Sequence, residues 1–410
     1  MAELIKVGNL CEITSSKRIF ANEYQEFGIP FFRGKEVTEK YNGKLDVTTE
    51  LFISEGKYVE LKTKFGVPQT GDMLLTSVGT LGSTYIVKES DKFYFKDGNL
   101  TWFKNFKGLN SHYLQYWLQS PEGQGQLRKS EIGSSQSAYT IANLKEMHIS
   151  LPPIDEQLRV VSYISKYDNL IENNNRRIAI LEEMAQSLYR EWFVNFRYPN
   201  HKDNVDSESK QKLIDSPLGQ IPVGWKLKPL GELVEFKRKS VKKGRVPEQT
   251  PYMGLEHFPR KSIALSDWEE VSEIGSDKLV FSRGDILFGK IRPNFHKVGV
   301  AQVDGLCSSD TFVLSPKKPE HHSLIAMVTF SNEFVAQAVQ TAQGSKMPRA
   351  SWDVLQDFTV CVPDTNTLKS FNSVVAPAIE QIRVLSLKNR NLKQQRDMLL
   401  PKLISGTIKL

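Results

Sequence analysis

Residues 237–245, Lys-Arg-Lys-Ser-Val-Lys-Lys-Gly-Arg, place six cations in nine positions. Cations on a loop can neutralise phosphates, which gives salt-dependent affinity for a polyanion without sequence information. Lys237, Arg238, Lys239, Lys242 and Lys243 are the candidates in this run. The same chemistry is open to Lys17 and Arg18, to Arg33 and Lys35 after the aromatic Phe31-Phe32, to Lys290 and Arg292, and to Lys346 and Arg349. Reading bases needs paired donors and acceptors, which Arg, Gln and Asn supply. Ser77, Ser134 and Gln136 complete the candidate set. Small residues at Gly133-Ser-Ser-Gln136 and Gly344-Ser-Lys346 would let a nucleic-acid backbone come close. The plainer alternatives are a solvated basic loop at 237–245 and tight turns at the two Gly-Ser sites.

Catalytic constellations are missing from the sequence. A phosphate-binding loop would end in Gly-Lys-Ser/Thr, and Gly79-Thr-Leu-Gly82 has no such lysine, so it reads as a bend between strands. An amino-methyltransferase would carry a Phe-x-Gly-x-Gly loop and an Asn/Asp-Pro-Pro-aromatic tetrapeptide. Here Pro152-Pro153 follows Leu151 and precedes Ile154. Nuclease chemistry wants clustered carboxylates around Mg²⁺. Asp72 and Asp285 instead follow glycine and precede apolar residues, as turn residues do. His321 and His322 are an isolated pair, expected on the surface. The expectation is a chain without an active site of its own, holding neither cofactor nor metal.

Composition narrows the class further. The 410 residues are 40% hydrophobic and 25% charged, with a net charge of +7 and an isoelectric point near 9.0. That balance favours a polyanionic partner, though modestly. Cys11, Cys307 and Cys361 show no paired spacing, as in a reducing cytoplasm. The start lacks the basic-then-apolar layout of a signal peptide, and no apolar run approaches a membrane span.

The elements that must position these loops repeat. Val7-Gly-Asn-Leu matches Leu230-Gly-Glu-Leu, Gly71-Asp-Met-Leu-Leu75 matches Gly284-Asp-Ile-Leu-Phe288, and Ile149-Ser-Leu-Pro152 matches Val360-Cys-Val-Pro363. Each copy reads as a mixed head followed by a long helix. Ser111 and Ser323 are expected to cap short helices in the heads, and the Asp97-Gly98 turn to break a strand pair over 93–103. In the first long helix Ile164, Tyr167, Ile171, Asn174, Ile178, Leu181, Ala185, Leu188 and Trp192 form an a/d seam. Val375, Ala378, Ile382, Leu385, Asn389, Leu392, Arg396, Leu399 and Leu403 repeat it 211 residues later, so the seam has a partner in its own chain. The intervening Glu, Asn, Arg and Lys read as a solvated face. Asn174 and Asn389 fall at different levels of the two repeats; they either fix register or are partly exposed. Arg396 either snorkels or meets an acid of the other helix. The aromatic end over 189–196 packs beneath a head or receives another subunit. Residues 201–212 are polar and free of aromatics, as in a linker.

This layout resembles the specificity subunits of type I restriction–modification systems. The resemblance rests on the two heads, the duplicated helices and the ordered motifs Gly71-Asp-Met-Leu-Leu75, Gly133-Ser-Ser-Gln136, Ile149-Ser-Leu-Pro-Pro-Ile-Asp-Glu-Gln157, Ser216-Pro-Leu-Gly-Gln-Ile-Pro-Val-Gly-Trp225 and Pro401-Lys-Leu-Ile-Ser-Gly406. Copy two departs at Val362-Pro363-Asp364, where Pro-Pro and Glu-Gln are missing. The resemblance implies an α+β fold with a pseudo-twofold repeat and an antiparallel coiled coil. Residues 1–152 would be target recognition domain 1, 153–198 a helical spacer, 199–222 a linker, 223–363 target recognition domain 2, and 364–410 the second spacer. Each head would read half of a bipartite double-stranded DNA target. The helices would dock two modification (methyltransferase) subunits, with restriction (motor and nuclease) subunits joining. S-adenosylmethionine, ATP and Mg²⁺ would then belong to those partners. Two other readings stay open: a self-sufficient DNA methyltransferase or nuclease, and an adaptor whose heads bind proteins.

Overall fold

Both heads are closed by a ladder between the first and last strands of the head, and this pairing sets where every other element begins. In a computed structural model, which describes residues 3–44, 47, 49–133, 137–201, 213–217 and 219–410, strand Glu3–Lys6 pairs antiparallel with His148–Leu151. Strand Lys226–Pro229 pairs antiparallel with Thr359–Val362. The chain divides into two units: Met1–Glu172 with Leu392–Leu410, and Asn173–Asn391. The long helices Ile154–Tyr189 and Thr365–Ile404 each contribute to both.

In the first unit a four-stranded antiparallel sheet runs Glu12–Thr14, Leu100–Lys104, Met73–Thr76, Thr84–Ile86. A second sheet holds Tyr24–Gln25, Phe52–Ile53, Ile29–Phe32 and Tyr94–Phe95, the last two parallel. The Asp97-Gly98 turn breaks the chain between Tyr94–Phe95 and Leu100–Lys104, as its sequence leads one to expect, and the two strands join different sheets instead of pairing as a hairpin. Gly71 (φ +88°) lets the chain turn into Met73–Thr76. The Asp72 carboxylate accepts from the Gln69 amide and from Trp102 Nε1, both at 2.8 Å. Asp72 is thus a turn residue, and burial pushes its carboxyl up. Gly79 and Gly82 lie in the bend before Thr84–Ile86, both with positive φ. The helix Ser111–Gln119 is capped by Asn110, not Ser111: its Oδ1 accepts from the His112 and Tyr113 amides. A core of Val7, Met73, Phe103, Leu114, Trp117, Leu144 and Ile149 also includes Val160 and Ile164 of the first long helix and Leu400 and Leu403 of the second.

The start of the first long helix explains its motif. Asp155 and Glu156 fill the first turn, as the helix dipole favours. Fully buried Gln157 accepts from the Asn110 amide and donates to the Gly108 and Pro152 carbonyls at 2.8–2.9 Å. The second long helix lacks this glutamine and instead begins on Asp364, which accepts from the Asn366 and Thr367 amides and the Thr367 hydroxyl. A local cap there replaces a tertiary clamp.

The second unit has a four-stranded antiparallel sheet in the order Val234–Lys237, Thr311–Pro316, Ile286–Gly289, Val298–Val300. A five-stranded sheet contains Gly244–Met253 parallel to Gly305–Cys307. Asp285 accepts from the Ser282 amide at 2.8 Å and occupies the turn entered by Gly284 (φ +88°). Ser323 caps nothing, because the helix His322–Thr329 begins after His321 without a side-chain cap. His321 and His322 are half-buried rather than on the open surface, and His322 Nε2 bonds the Gly284 carbonyl at 2.8 Å. Residues 213–217 and 219–222 are not plain linker: Leu213–Ser216 and Gly219–Pro222 pair as a hairpin. The rest of the expected linker, 202–212, lies outside the described residues.

Every seam residue of both long helices is buried or half-buried. In the second unit Asn174 Nδ2 donates to Asn389 Oδ1, and Asn389 Nδ2 to Asn175 Oδ1, each at 2.8 Å. The two asparagines thus meet at one level, and both are buried. The aromatic end packs into the core: Trp192 and Phe193 lie against Phe371, and Phe193 against Trp225. The backbone widens to a π-helix over Arg190–Val194, which the heptad spacing does not anticipate. In the first unit Arg396 meets Asp168 at 2.7 Å, and Tyr116 donates to the other oxygen of the same carboxylate at 2.6 Å.

One charge departs from the solvated face. Glu182 is 8% exposed and accepts from Ser262 Oγ at 2.7 Å and the Ile263 amide at 2.8 Å. Burial pushes its carboxyl up to about 7. Between the ordinary value near 4.5 and 7 the folded chain holds this proton more tightly than the unfolded chain. The contribution to stability is therefore fullest in acid and falls as pH rises through 7. Glu182→Gln should remove that slope: wild-type melting temperature minus variant is expected to be more positive at about pH 5 than at about pH 8. A pH-independent difference would contradict it.

Two glycines seat the closing ladders. A Cβ on Gly8 would stand 2.8 Å from Lys145 Cβ, and one on Gly231 3.1 Å from Gln356 Cβ. Gly8→Ala is expected to cost about 1–3 kcal/mol as an overpacked contact, with Gly231→Ala costing less. Thermal melts check the order, and equal or absent losses would show that these contacts open freely.

Candidate nucleic-acid interface

The sheet of the second unit brings four cations to one rim. Strand Ile286–Gly289 ends at Lys290, and the segment 343–350 folds back beside it. The Arg292 amide donates to Pro348 O at 2.7 Å, the Ala350 amide to Lys290 O at 2.9 Å, and Gln343 and Arg349 exchange both backbone bonds. Lys290, Arg292, Lys346 and Arg349 are thereby brought together from positions more than fifty residues apart. Asp310 tempers the charge: it accepts the Lys290 amide through its carbonyl, and Arg349 Nε through its carboxylate at 3.4 Å. The Lys290 ammonium lies over Phe312 at 5.7 Å, and Arg292 reaches the Lys346 carbonyl at 3.5 Å. Lys346 is exposed. Gly344 (φ +103°) makes the tight turn that allows the return.

Two further cations on this side escape the sequence reading. The Arg260 guanidinium stacks on Phe295, 4.0 Å from the ring centroid, with Arg292 5.8 Å from the same ring. Lys261, next to Arg260, is exposed and donates its amide to His296 O at 3.0 Å. The Arg260-Lys261 pair is visible in the sequence. What the sequence hides is that a loop about thirty residues upstream lies beside Phe295.

The basic run at 237–245 alternates strand and loop: Lys237, Ser240–Val241 and the start of Gly244–Met253 are strand, and Arg238, Lys239, Lys242 and Lys243 lie between the strands. Pairing removes Lys237 from the candidates: its ammonium bonds both oxygens of buried Asp285, at 2.8 and 2.9 Å. Lys242 is held by Asp277 at 2.8 Å, which raises its pKa, and the Lys243 amide donates to the same carboxylate. Arg238 lies over Phe236 at 4.8 Å. Lys239 and Lys243 have exposed side chains.

In the first unit the candidates divide in the same way. Ser77 is unavailable to a ligand, being 2% exposed and hydrogen-bonded to Thr101 Oγ1 at 2.6 Å. Arg33 is committed to the fold, because it grips the buried Glu36 carboxylate at 2.8 Å and raises its own pKa by that bond. Lys35 faces Glu50 at 3.5 Å. Arg18 bonds Asp97 at 2.9 Å yet stays 67% exposed, and the Lys17 ammonium lies over Phe65. Ser134 and Gln136 lie outside the described residues. Val78 bridges Ala138, and Gly34 stands beside the Val78 carbonyl, so Lys35 and the end of strand Met73–Thr76 share a rim. Among the described residues no three His, Cys, Asp or Glu side chains converge as metal ligands, and no helix is long and apolar enough to cross a membrane.

Residues 2–183 match the family described as the Type I restriction modification DNA specificity domain. The chain is 24% identical over 359 residues to the MjaIX type I restriction enzyme specificity subunit of Methanocaldococcus jannaschii, covering 83% of this chain and 78% of that one. It is 20% identical over 430 residues to the MjaVIII specificity subunit of the same organism, covering 99% and 93%. A crystal structure of the type I restriction–modification S subunit from M. genitalium shares the fold, with a TM-score of 0.57 at 14% identity, over 98% of this chain and 96% of that one. The chain is thus similar to type I restriction–modification specificity subunits, in sequence to the family model over residues 2–183 and in fold over nearly its whole length.

Proposed function

We propose that this chain is the DNA-reading subunit of a type I restriction–modification complex and performs no catalysis itself. The observation that carries the reading is the rim of Lys290, Arg292, Lys346 and Arg349, assembled by backbone pairing on a head that lies within the fold shared with the M. genitalium S subunit. Residues 1–152 and 223–363 are the two target recognition domains, each addressing one half of a bipartite duplex. Residues 153–198 and 364–410 are the spacers, with 199–222 connecting the halves. S-adenosylmethionine, ATP and Mg²⁺ sit on two modification subunits and on the restriction subunits, all in the cytoplasm.

An internal duplication supports the two-reader arrangement. Each head has a four-stranded antiparallel sheet with the same order of equivalent strands, a neighbouring sheet with one parallel pair, and a closing first-to-last ladder. An antiparallel coiled coil is supported by partner numbers that fall as residue numbers rise: Asn174 meets Asn389 and Trp192 meets Phe371. The 29 residues from Ile164 to Trp192 span about 43 Å at 1.5 Å per residue. That is slightly more than one turn of DNA, roughly 34–36 Å, over which two readers address the same face. The outer face of the helices bares Ile180, Met184 and Val374, 40–58% exposed, and suits a modification subunit.

Binding assays on the complex reconstituted with its modification subunits test the reading. Lys346→Ala is expected to weaken binding to all duplexes alike and to flatten the slope of log K against log salt by about 0.9. A purified chain that transfers methyl groups alone, or a complex that ignores bipartite duplexes, would defeat the proposal. Removing seven residues from one spacer helix is expected to change the permitted gap between half-sites or abolish activity. Methylated-site sequencing that returned the original gap would rule out the spacer role.

A further inference from the structure

Three non-glycine residues of the second unit adopt left-handed backbone conformations within one small region: Lys261 (φ 55°), Arg292 (φ 48°) and His296 (φ 51°). Such residues are uncommon and persist where the surroundings over-determine them, which in turn points to a use for the strained geometry. Here the surroundings are fully engaged. The Lys261 amide donates to His296 O at 3.0 Å, and the Arg292 amide to Pro348 O at 2.7 Å. Buried His296 holds the Phe330 carbonyl through Nε2 at 3.0 Å. Glu182, from the first long helix, anchors Ser262 and Ile263 directly after Lys261. Everything converges on Phe295, whose ring carries the Arg260 guanidinium at 4.0 Å and has that of Arg292 at 5.8 Å.

A phosphate contact does not need this apparatus, since a flexible exposed lysine such as Lys346 makes one. A base contact does. Guanidinium stacking on an aromatic face fixes the plane of the donor fork and leaves its N–H edge free, and a fixed fork is what bidentate bonding to guanine O6 and N7 requires. Among the described residues no carboxylate forms an ion pair with Arg260 or Arg292, whereas Arg33, Arg349, Arg390 and Arg396 are all paired. The Arg260 fork is therefore held against Phe295 without an ion pair, and the Arg292 fork gives one N–H to the Lys346 carbonyl and keeps its other donors for a ligand.

We propose that the strained turn Arg292–His296, with Arg260 stacked on Phe295, is the base-reading element of the second head and reads guanine in its half of the target. This rests on the DNA-reading role proposed above and adds the residues and the base. Arg260 and Arg292 supply the bidentate donors. Lys261 and Lys346 flank them as phosphate contacts that set position without choosing sequence.

The test uses the full complex with its modification subunits, with the wild-type methylated motif mapped by single-molecule sequencing. Duplexes with each guanine of the second half-site replaced in turn are then compared. Arg260→Lys and Arg292→Lys keep the charge and lose the planar fork. Each is expected to weaken the cognate duplex about 5- to 150-fold, to change a scrambled duplex less than about twofold, and to relax the methylated motif at one position of that half only. Lys346→Ala, the control, should lower both duplexes by one common factor. If both lysine variants lower cognate and scrambled duplexes equally, or leave the motif intact, the base-reading role is wrong while the DNA-reading role stands. If the wild-type complex binds no bipartite duplex, both fall together. Melting temperatures of the variants separate lost readout from lost folding: a variant whose melt is lowered is set aside, and the other lysine variant decides.

Discussion

The first-to-last strand ladder is the constraint on which each head depends. It joins positions about 145 residues apart in the first head and about 135 in the second, yet loop-closure cost grows only logarithmically with length, so a distant ladder costs little more than a near one. In return the chain enters and leaves the head at one place. The short helix after the first strand must then press against the segment before the last, which is why Gly8 and Gly231 meet Lys145 and Gln356. The long helix starts within three residues of the ladder in both heads, at Ile154 and Thr365. Its direction is therefore tied to the sheet rather than to a flexible joint.

What the sequence made legible follows from which contacts are local. The Gly-Asp turns were readable because the glycine's positive φ and the aspartate's bond to a nearby amide both lie within four residues. Helix periodicity was readable for the same reason. The first cap falls one residue before Ser111: Asn110 and Ser111 are both good cap types, and Gln157, forty-seven residues away, holds the Asn110 amide. The basic run at 237–245 looked like a phosphate loop because its neutralising acids, Asp277 and Asp285, are also about forty residues distant. Glu182 sat on a face of charged residues, and nothing nearby signals that a loop eighty residues on would cover it.

Charge count alone was thus a poor guide to the candidate interface. Lys237 and Arg33 neutralise buried carboxylates, and removing either would leave an uncompensated charge in the core, which costs several kcal/mol in most proteins. Both belong to the fold. Solvent-facing cations such as Lys239, Lys243 and Lys346 neutralise no buried acid and can be exchanged with little effect on stability. Binding surfaces draw on the second group. Sorting the candidates by partner rather than by sign moves the centre of the candidate site from the basic run to the rim around Arg292 and Phe295.

The asparagine pair shows how a cost in stability can fix one alignment of two helices. Asn174 and Asn389 seemed to fall at different levels because the two helices were compared by their repeat offset, a parallel comparison. The side chains meet only when one helix is reversed, and there each amide is satisfied. A leucine pair would bury more apolar surface but would tolerate a shift of one heptad almost as well. A shift now leaves two buried amides unbonded, at about 1–3 kcal/mol each. A slip of seven residues would displace one helix along the other by about 10 Å. An arrangement that penalises that slip favours one alignment of the helices even where it lowers the stability of the pair.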